Sequence, residues 1–264
     1  MNPANLIPSL GLGTMGLDGD AGVETVTTAL DLGYRHLDTA QIYENEAVVG
    51  EGLRDALARG LVDRDEVLVA TKVWVDNLSS ERFRDSVETS RERLGVDTID
   101  LLYLHRPRGP YVPETTLPRF DALCDDGLVD HVGVSNFTVD QLDEARDHLD
   151  APIAAHQTEY HPLFRRPALL EDAREHGYAV VAYSPLAGGR VFDLDPVTAV
   201  ADARGVSPAA VSIAWLRAKG LAVIPKASSP EHLRANLAAA DLALDDREVA
   251  RIDAIEAEVE LYPE

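Results

Sequence analysis

The 264-residue chain predicts a single-domain α/β fold over residues 1–264, a (β/α)8 TIM barrel. Short apolar, β-branched runs alternate with amphipathic stretches from end to end, the pattern of a parallel sheet built from βα units. Eight such runs can be counted, enough to close a barrel in a chain of this length. No Ser/Gly linker or break in composition divides the sequence.

The expected strands are 10–14, 35–40, 67–73, 99–105, 131–136, 153–160, 179–185 and 221–227. Each is a short run bounded by turn-forming residues. Between them the apolar spacing predicts helices such as 44–60 and 79–95. Ser79 or Ser80 is the expected N-cap of the second, and Gly95 its stop. The first run contains GLGTMG (11–16), a match to the G-x-G-x-x-G dinucleotide fingerprint. That fingerprint requires a buried strand before it and a helix opening on it. Here Pro8 precedes it and LDGD (17–20) delays the helix to about Asp20. The glycines therefore belong to a barrel strand that admits close approach of a neighbour, and a Rossmann dehydrogenase is rejected.

Composition narrows the partners. The net charge of −22 argues against nucleic acid and anionic membrane surfaces, which require clustered Lys and Arg. No apolar run reaches membrane-spanning length and no signal-peptide pattern opens the chain, so a cytoplasmic protein is expected. The lone Cys124 cannot form an internal disulfide and reads as a packed helix residue. Only Lys72, Lys219 and Lys226 represent lysine, arginine supplying the other positive charges. This acidic, lysine-poor balance is expected of a halophilic protein working in molar salt, where self-repulsion is screened.

Barrel chemistry lies at the C-terminal ends of the strands. Asp38, Lys72 and His105 end the second, third and fourth, at steps of 34 and 33 residues, and Tyr43 follows in the second loop. Four ionisable groups then face one mouth. A lysine in VATKVW must be paired to be buried charged, and Asp38 on the adjacent strand can pair it. A tyrosine beside that ammonium is expected to have its pKa drawn down, making Tyr43 a proton donor near neutral pH. His105 can orient a substrate oxygen or join the proton relay. His156 and His161 in AHQTEYHP form no recognised ligand spacing and read as core or loop residues, so no metal is expected.

These residues resemble the aldo-keto reductase family. GYRHLDTAQIYENEAVVG (33–50) is similar to its first signature, with Asp38 and Tyr43 in the catalytic tetrad that Lys72 and His105 complete. GLVDHVGVSNF (127–137) resembles the second signature. The resemblance implies that Ser135, Asn136 and Gln157 contact a nicotinamide amide and that Tyr183 stacks on its ring. Thr14, Met15, Ser184, Leu186, Lys226, Ser228, His232 and Asn236 are implied as further cofactor contacts, and Trp74 and Arg106 as pocket walls. It also implies hydride transfer from nicotinamide C4 of NADPH to a small aldehyde or ketone, with Tyr43 as general acid and Lys72 and Asp38 tuning it. In KASSPEHLRAN (226–236) His232 stands where the family places an arginine for the 2′-phosphate, so NADH is also open; Arg234 is a possible substitute. The tail after Ile255 is short, and an open, permissive pocket in a monomer or weak oligomer is expected. A nicotinamide-binding sensor or auxiliary subunit without turnover is the alternative, disfavoured by the complete tetrad.

Overall fold

The computed structural model describes residues 6–79 and 81–263. Eight parallel strands pair in sequence order: β1 (Leu12–Gly13), β2 (His36–Asp38), β3 (Leu68–Val73), β4 (Ile99–Leu104), β5 (Val129–Ser135), β6 (Ile153–Glu159), β7 (Ala179–Tyr183) and β8 (Ala222–Val223). Parallel bridges from Leu10 to Val223 and from Gly13 to Lys226 join the last strand to the first and close the ring. The helices cross over between strands: α1 (Gly19–Leu32), α2 (Glu46–Ala58), α3 (Phe83–Leu94), α4 (Pro113–Asp125), α5 (Val139–His148) and α6 (Pro167–His176). Two helices, α7 (Asp195–Arg204) and α8 (Pro208–Ala218), connect β7 to β8, and α9 (Pro230–Ala240) and α10 (Asp246–Asp253) follow.

The strands are shorter than their apolar runs suggest. β8 spans two residues because Pro225 has no amide to continue the ladder, and β2 stops at Asp38 because 41–43 form a 3-10 turn. β5 instead begins earlier, at Val129, since the Ile99 amide already bonds to Leu128 O. The expected side-chain cap of α3 is corrected: Arg82 holds the cap position without a side-chain bond, and Ser79 contributes its backbone carbonyl to the amides of Arg82 and Phe83. Ser80 lies outside the described residues. Gly95 ends α3 in the left-handed conformation (φ 67°), as expected.

Two apolar clusters result. The larger lies between sheet and helices, where Phe83 of α3 meets Phe120 of α4 edge-on at 4.9 Å. A smaller one fills the barrel with Leu68, Ala70, Leu101, Tyr103, Ala155 and Val181 among its members. Large rings there require missing side chains opposite. A Cβ on Gly133 would come within 2.5 Å of the Tyr103 ring, and one on Gly11 within 2.5 Å of His36 Nδ1. A Cβ on Gly13 would meet Ile224 O at 2.6 Å. Gly11 and Gly13 of GLGTMG thus serve interior packing and ring closure, whereas Gly16 has no close neighbour and takes a left-handed turn (φ 77°). His156 and His161 are fully buried, and His156 Nε2 accepts the Phe137 amide.

Candidate active site

Parallel register sets the site. Gly13 pairs with Asp38, and Lys72 pairs with Tyr103, two residues before His105; alternation along the strands then turns Asp38, Lys72 and His105 toward the same mouth. Lys72 is wholly buried. Its Nζ donates to Asp38 Oδ1 at 2.5 Å and to Thr39 O at 2.7 Å, and it lies 5.2 Å from the centroid of the Tyr43 ring. Asp38 Oδ2 accepts Gln157 Nε2 at 2.6 Å. Burial disfavours a charged Lys72, but Asp38 and Tyr43 outweigh it and hold the ammonium pKa above its ordinary value.

Two sequence expectations change here. The Tyr43 pKa is raised, not drawn down: burial dominates, and the Lys72 cation offsets only part of it. Tyr43 is therefore a protonated donor near neutral pH. His105 is pushed down to about 2 by burial, with the Lys72 and Arg106 cations adding to the effect, so its ring is neutral at working pH. A neutral ring can orient a substrate but does not carry the relay proton as an imidazolium. Its neighbours are aromatic, Trp74 at 5.0 Å and Tyr43 at 6.1 Å between centroids.

Around these groups opens a cleft of about 270 Å³. Of the expected site residues, Thr14, Met15, Asp38, Tyr43, Trp74, His105, Arg106, Ser135, Asn136, Gln157, Tyr183, Ser184 and Lys226 line it. Lys72 sits beneath. Leu186, Ser228, His232 and Asn236 stand outside the wall: Ser228 and His232 are exposed at the start of α9, and Asn236 is buried beside the Tyr34 hydroxyl. Asn136 (φ 63°) and Ser184 (φ 52°) adopt left-handed backbones just after β5 and β7, a strain concentrated at the cleft.

The donor set suits a primary carboxamide, which offers two N–H donors and one acceptor. Asn136 Nδ2 is committed to His105 O and Ser135 Oγ, while Asn136 Oδ1 accepts the Tyr183 hydroxyl and keeps a second lone pair. That lone pair, the Gln157 side-chain oxygen and the Ser135 O–H supply the complementary groups. Exposed Lys226 and the amide end of α9 offer positive potential for a phosphate.

Sequence reasoning missed the residues that hold these loops. Asn45 Nδ2 donates to Thr14 O at 2.7 Å and Leu17 O at 3.0 Å, pinning the first loop, and Asn45 Oδ1 accepts Thr39 Oγ1. Gln41 Oε1 accepts the Trp74 amide and Asn77 Nδ2. Tyr262, from the short tail, also lines the cleft. The polar residues flanking Asp38 were the available signal for Asn45 and Gln41; Tyr262 had none, because the residues it meets, Glu159 and Tyr183, end strands far away in sequence.

Comparison with known proteins agrees with this architecture. The model of the Aldo/keto reductase family matches residues 9–257. Methylglyoxal reductase DkgB of Escherichia coli O157:H7 is 36% identical, covering 95% of this chain and 93% of the relative. Morphine 6-dehydrogenase of Pseudomonas putida is 35% identical, covering 100% of this chain and 93% of the relative. The crystal structure of a putative 2,5-diketo-D-gluconic acid reductase B superposes with a TM-score of 0.90 at 37% identity, covering 96% of this chain and 88% of that one. The chain belongs to the aldo/keto reductase family and is an oxidoreductase that reduces carbonyl groups with a nicotinamide cofactor.

Proposed function

We propose that this enzyme reduces small aldehydes, α-dicarbonyls and activated ketones to alcohols, with NADPH as principal cofactor and NADH as a second. The observation that carries the reading is the convergence of Tyr43, His105 and the buried Lys72–Asp38 pair on one cleft. Bound in that cleft, the nicotinamide supplies the hydride. Ser135, Asn136 and Gln157 hold its carboxamide, and Tyr183 provides an aromatic face. Tyr43 donates the proton to the carbonyl oxygen as charge develops there. Lys72 stabilises the phenolate left behind, and Asp38 keeps the ammonium charged and aimed. Neutral His105 donates one ring N–H to the same oxygen, orienting it without adding a cation.

Lys226 supports the cofactor's adenosine phosphate, and His232, third in α9, takes the position that distinguishes the 2′-phosphate from a hydroxyl. His232→Arg is expected to raise NADPH selectivity. The relatives named for methylglyoxal support an α-dicarbonyl as first substrate. The acidic composition supports activity in molar salt.

The test is loss of reduced-nicotinamide absorbance with methylglyoxal and either cofactor, in low and molar KCl, for wild type and Tyr43→Phe. Turnover in wild type that vanishes in Tyr43→Phe, with cofactor binding retained, is expected. Cofactor binding without turnover by wild type under every condition would reject the reading.

A further inference from the structure

A cavity of about 480 Å³ lies at the end of the barrel opposite the cleft, where β7 and β8 begin. Its walls come from Ile7 and Ser9 ahead of β1, from α6 and the end of α8, and from the glycine turns that lead into β7 and β8. Ser9 O accepts the Val223 amide at 3.1 Å, so the cavity sits beside the seam at which the ring closes. The catalytic groups take no part in it.

The charged side chains that line this space are of one sign. Arg174, Arg217 and Lys219 contribute, and no Asp or Glu is among the described lining residues, in a chain with 46 acidic and 24 basic residues. In such a composition a carboxylate is the commoner neighbour, so its exclusion here runs against chance. Cations in the last turn of a helix offset its dipole. That accounts for Arg174 in α6 and Arg217 in α8 one at a time, but not for their meeting around a common space.

The three cations differ in how far they are satisfied. Lys219 is committed: its Nζ pairs with Asp253 at 2.7 Å and lies 4.8 Å from the centroid of the Trp215 ring. Arg174 is exposed and forms no ion pair among the described residues. Arg217 is half-buried; its Nη1 donates to Leu221 O at 2.8 Å, whereas its Nε is buried without a hydrogen-bond partner among the described residues. Burial pulls the Arg217 pKa down, and the Asp241 carboxylate offsets only part of that. A guanidinium keeps its proton at working pH, so the cost of burying it stays in the fold until an anion meets it.

We propose that this cavity binds a small organic oxyanion, with its phosphate or carboxylate head between Arg174 and Arg217 and its apolar body on Ile7, Leu170 and Val180. Guanidinium forks match the oxygens of both head groups. The space is larger than a bare phosphate ion needs, and the apolar side chains give the remainder of the ligand a surface to cover. The site is separate from the cofactor cleft and stands independently of the carbonyl-reductase reading.

The experiment uses the two tryptophans of the chain. In a Trp74→Phe background Trp215, beneath Lys219, is the sole indole and reports on this end of the barrel. Phenyl phosphate, benzoate and inorganic phosphate are titrated against it at the lowest KCl that keeps the protein folded, because salt screens the arginines. Phenyl phosphate or benzoate should give a saturable change in Trp215 emission, and the tighter of the two identifies the head group. Inorganic phosphate should bind more weakly, having no apolar body. Arg174→Met should weaken binding by about tenfold, the loss of one charge-assisted hydrogen bond, and Arg217→Met should do the same. Lys226→Met, at the cofactor mouth, should leave the titration unchanged. Circular dichroism checks the fold of each variant, and the exposed Arg174 keeps the test decisive if Arg217→Met does not fold. No saturable change with either organic anion, undiminished binding in Arg174→Met, or binding lost in Lys226→Met would overturn the inference.

Discussion

Replacing Lys72 by Met removes one half of a buried ion pair and keeps the length of the side chain. At 2.5 Å and an effective dielectric constant near 20, Lys72 and Asp38 attract by about 7 kcal/mol, most of it offsetting the desolvation of two charges. In Lys72→Met the Asp38 carboxylate stays buried with Gln157 as its remaining side-chain partner. Breaking such a pair costs about 3–5 kcal/mol. In a chain of this size that lowers Tm by about 6–10 °C, at about 2 °C per kcal/mol. Removing both charges in Asp38→Asn/Lys72→Met should return much of that stability, since no uncompensated charge remains. Turnover should stay lost in both variants, because Tyr43 no longer faces an ammonium. Calorimetry and nicotinamide absorbance measure the two effects separately. A double variant as unstable as the single one, or a Lys72→Met protein with wild-type Tm, would refute the reasoning.

Acid should destabilise the protein through its buried histidines. Burial lowers His36 to about 4 and His156 to about 3, so the unfolded chain protonates first as pH falls. Their stabilising contribution is present above about pH 6.5 and lost as pH drops through the folded values; His36→Gln should flatten that limb in urea titrations. Gly133→Ala forces a methyl against the Tyr103 ring and is expected to cost about 1–3 kcal/mol, read as a lower urea midpoint at unchanged slope. Asn45→Ala frees the loop carrying Thr14 and Met15; weaker cofactor binding with little change in kcat is expected, measured by fluorescence titration. Added KCl should raise Tm by screening the net charge of −22, and a salt-independent Tm would remove the halophilic reading.

What could be read from the sequence follows from how local each cause is. The eight strands and the register of Asp38, Lys72 and His105 were legible because apolar alternation and the spacing of one βα unit are properties of short stretches. GLGTMG could be assigned to a barrel strand from its flanks, although its reason, His36 and Ile224 lying opposite the glycines, needed the folded ring. The sign of the Tyr43 shift was misread because sequence names the neighbouring cation but not the depth of burial that outweighs it. Ser79 looked like a cap by residue type, yet the turn used its carbonyl. Tyr262 and Glu159 lie 103 positions apart, and no local pattern links them.

The two halves of the cleft are held with unequal tenacity. The proton-transfer groups stand on or beside strands buried on both sides, so they are disordered only when the ring itself opens. The tail is held by a few hydrogen bonds to residues 159–166, and a segment with so few contacts opens at far lower free energy than the core. Warming should therefore release the tail first. Below the melting temperature there should be a range in which the enzyme still turns over while the Leu261 and Tyr262 amides have already lost their protection from hydrogen exchange.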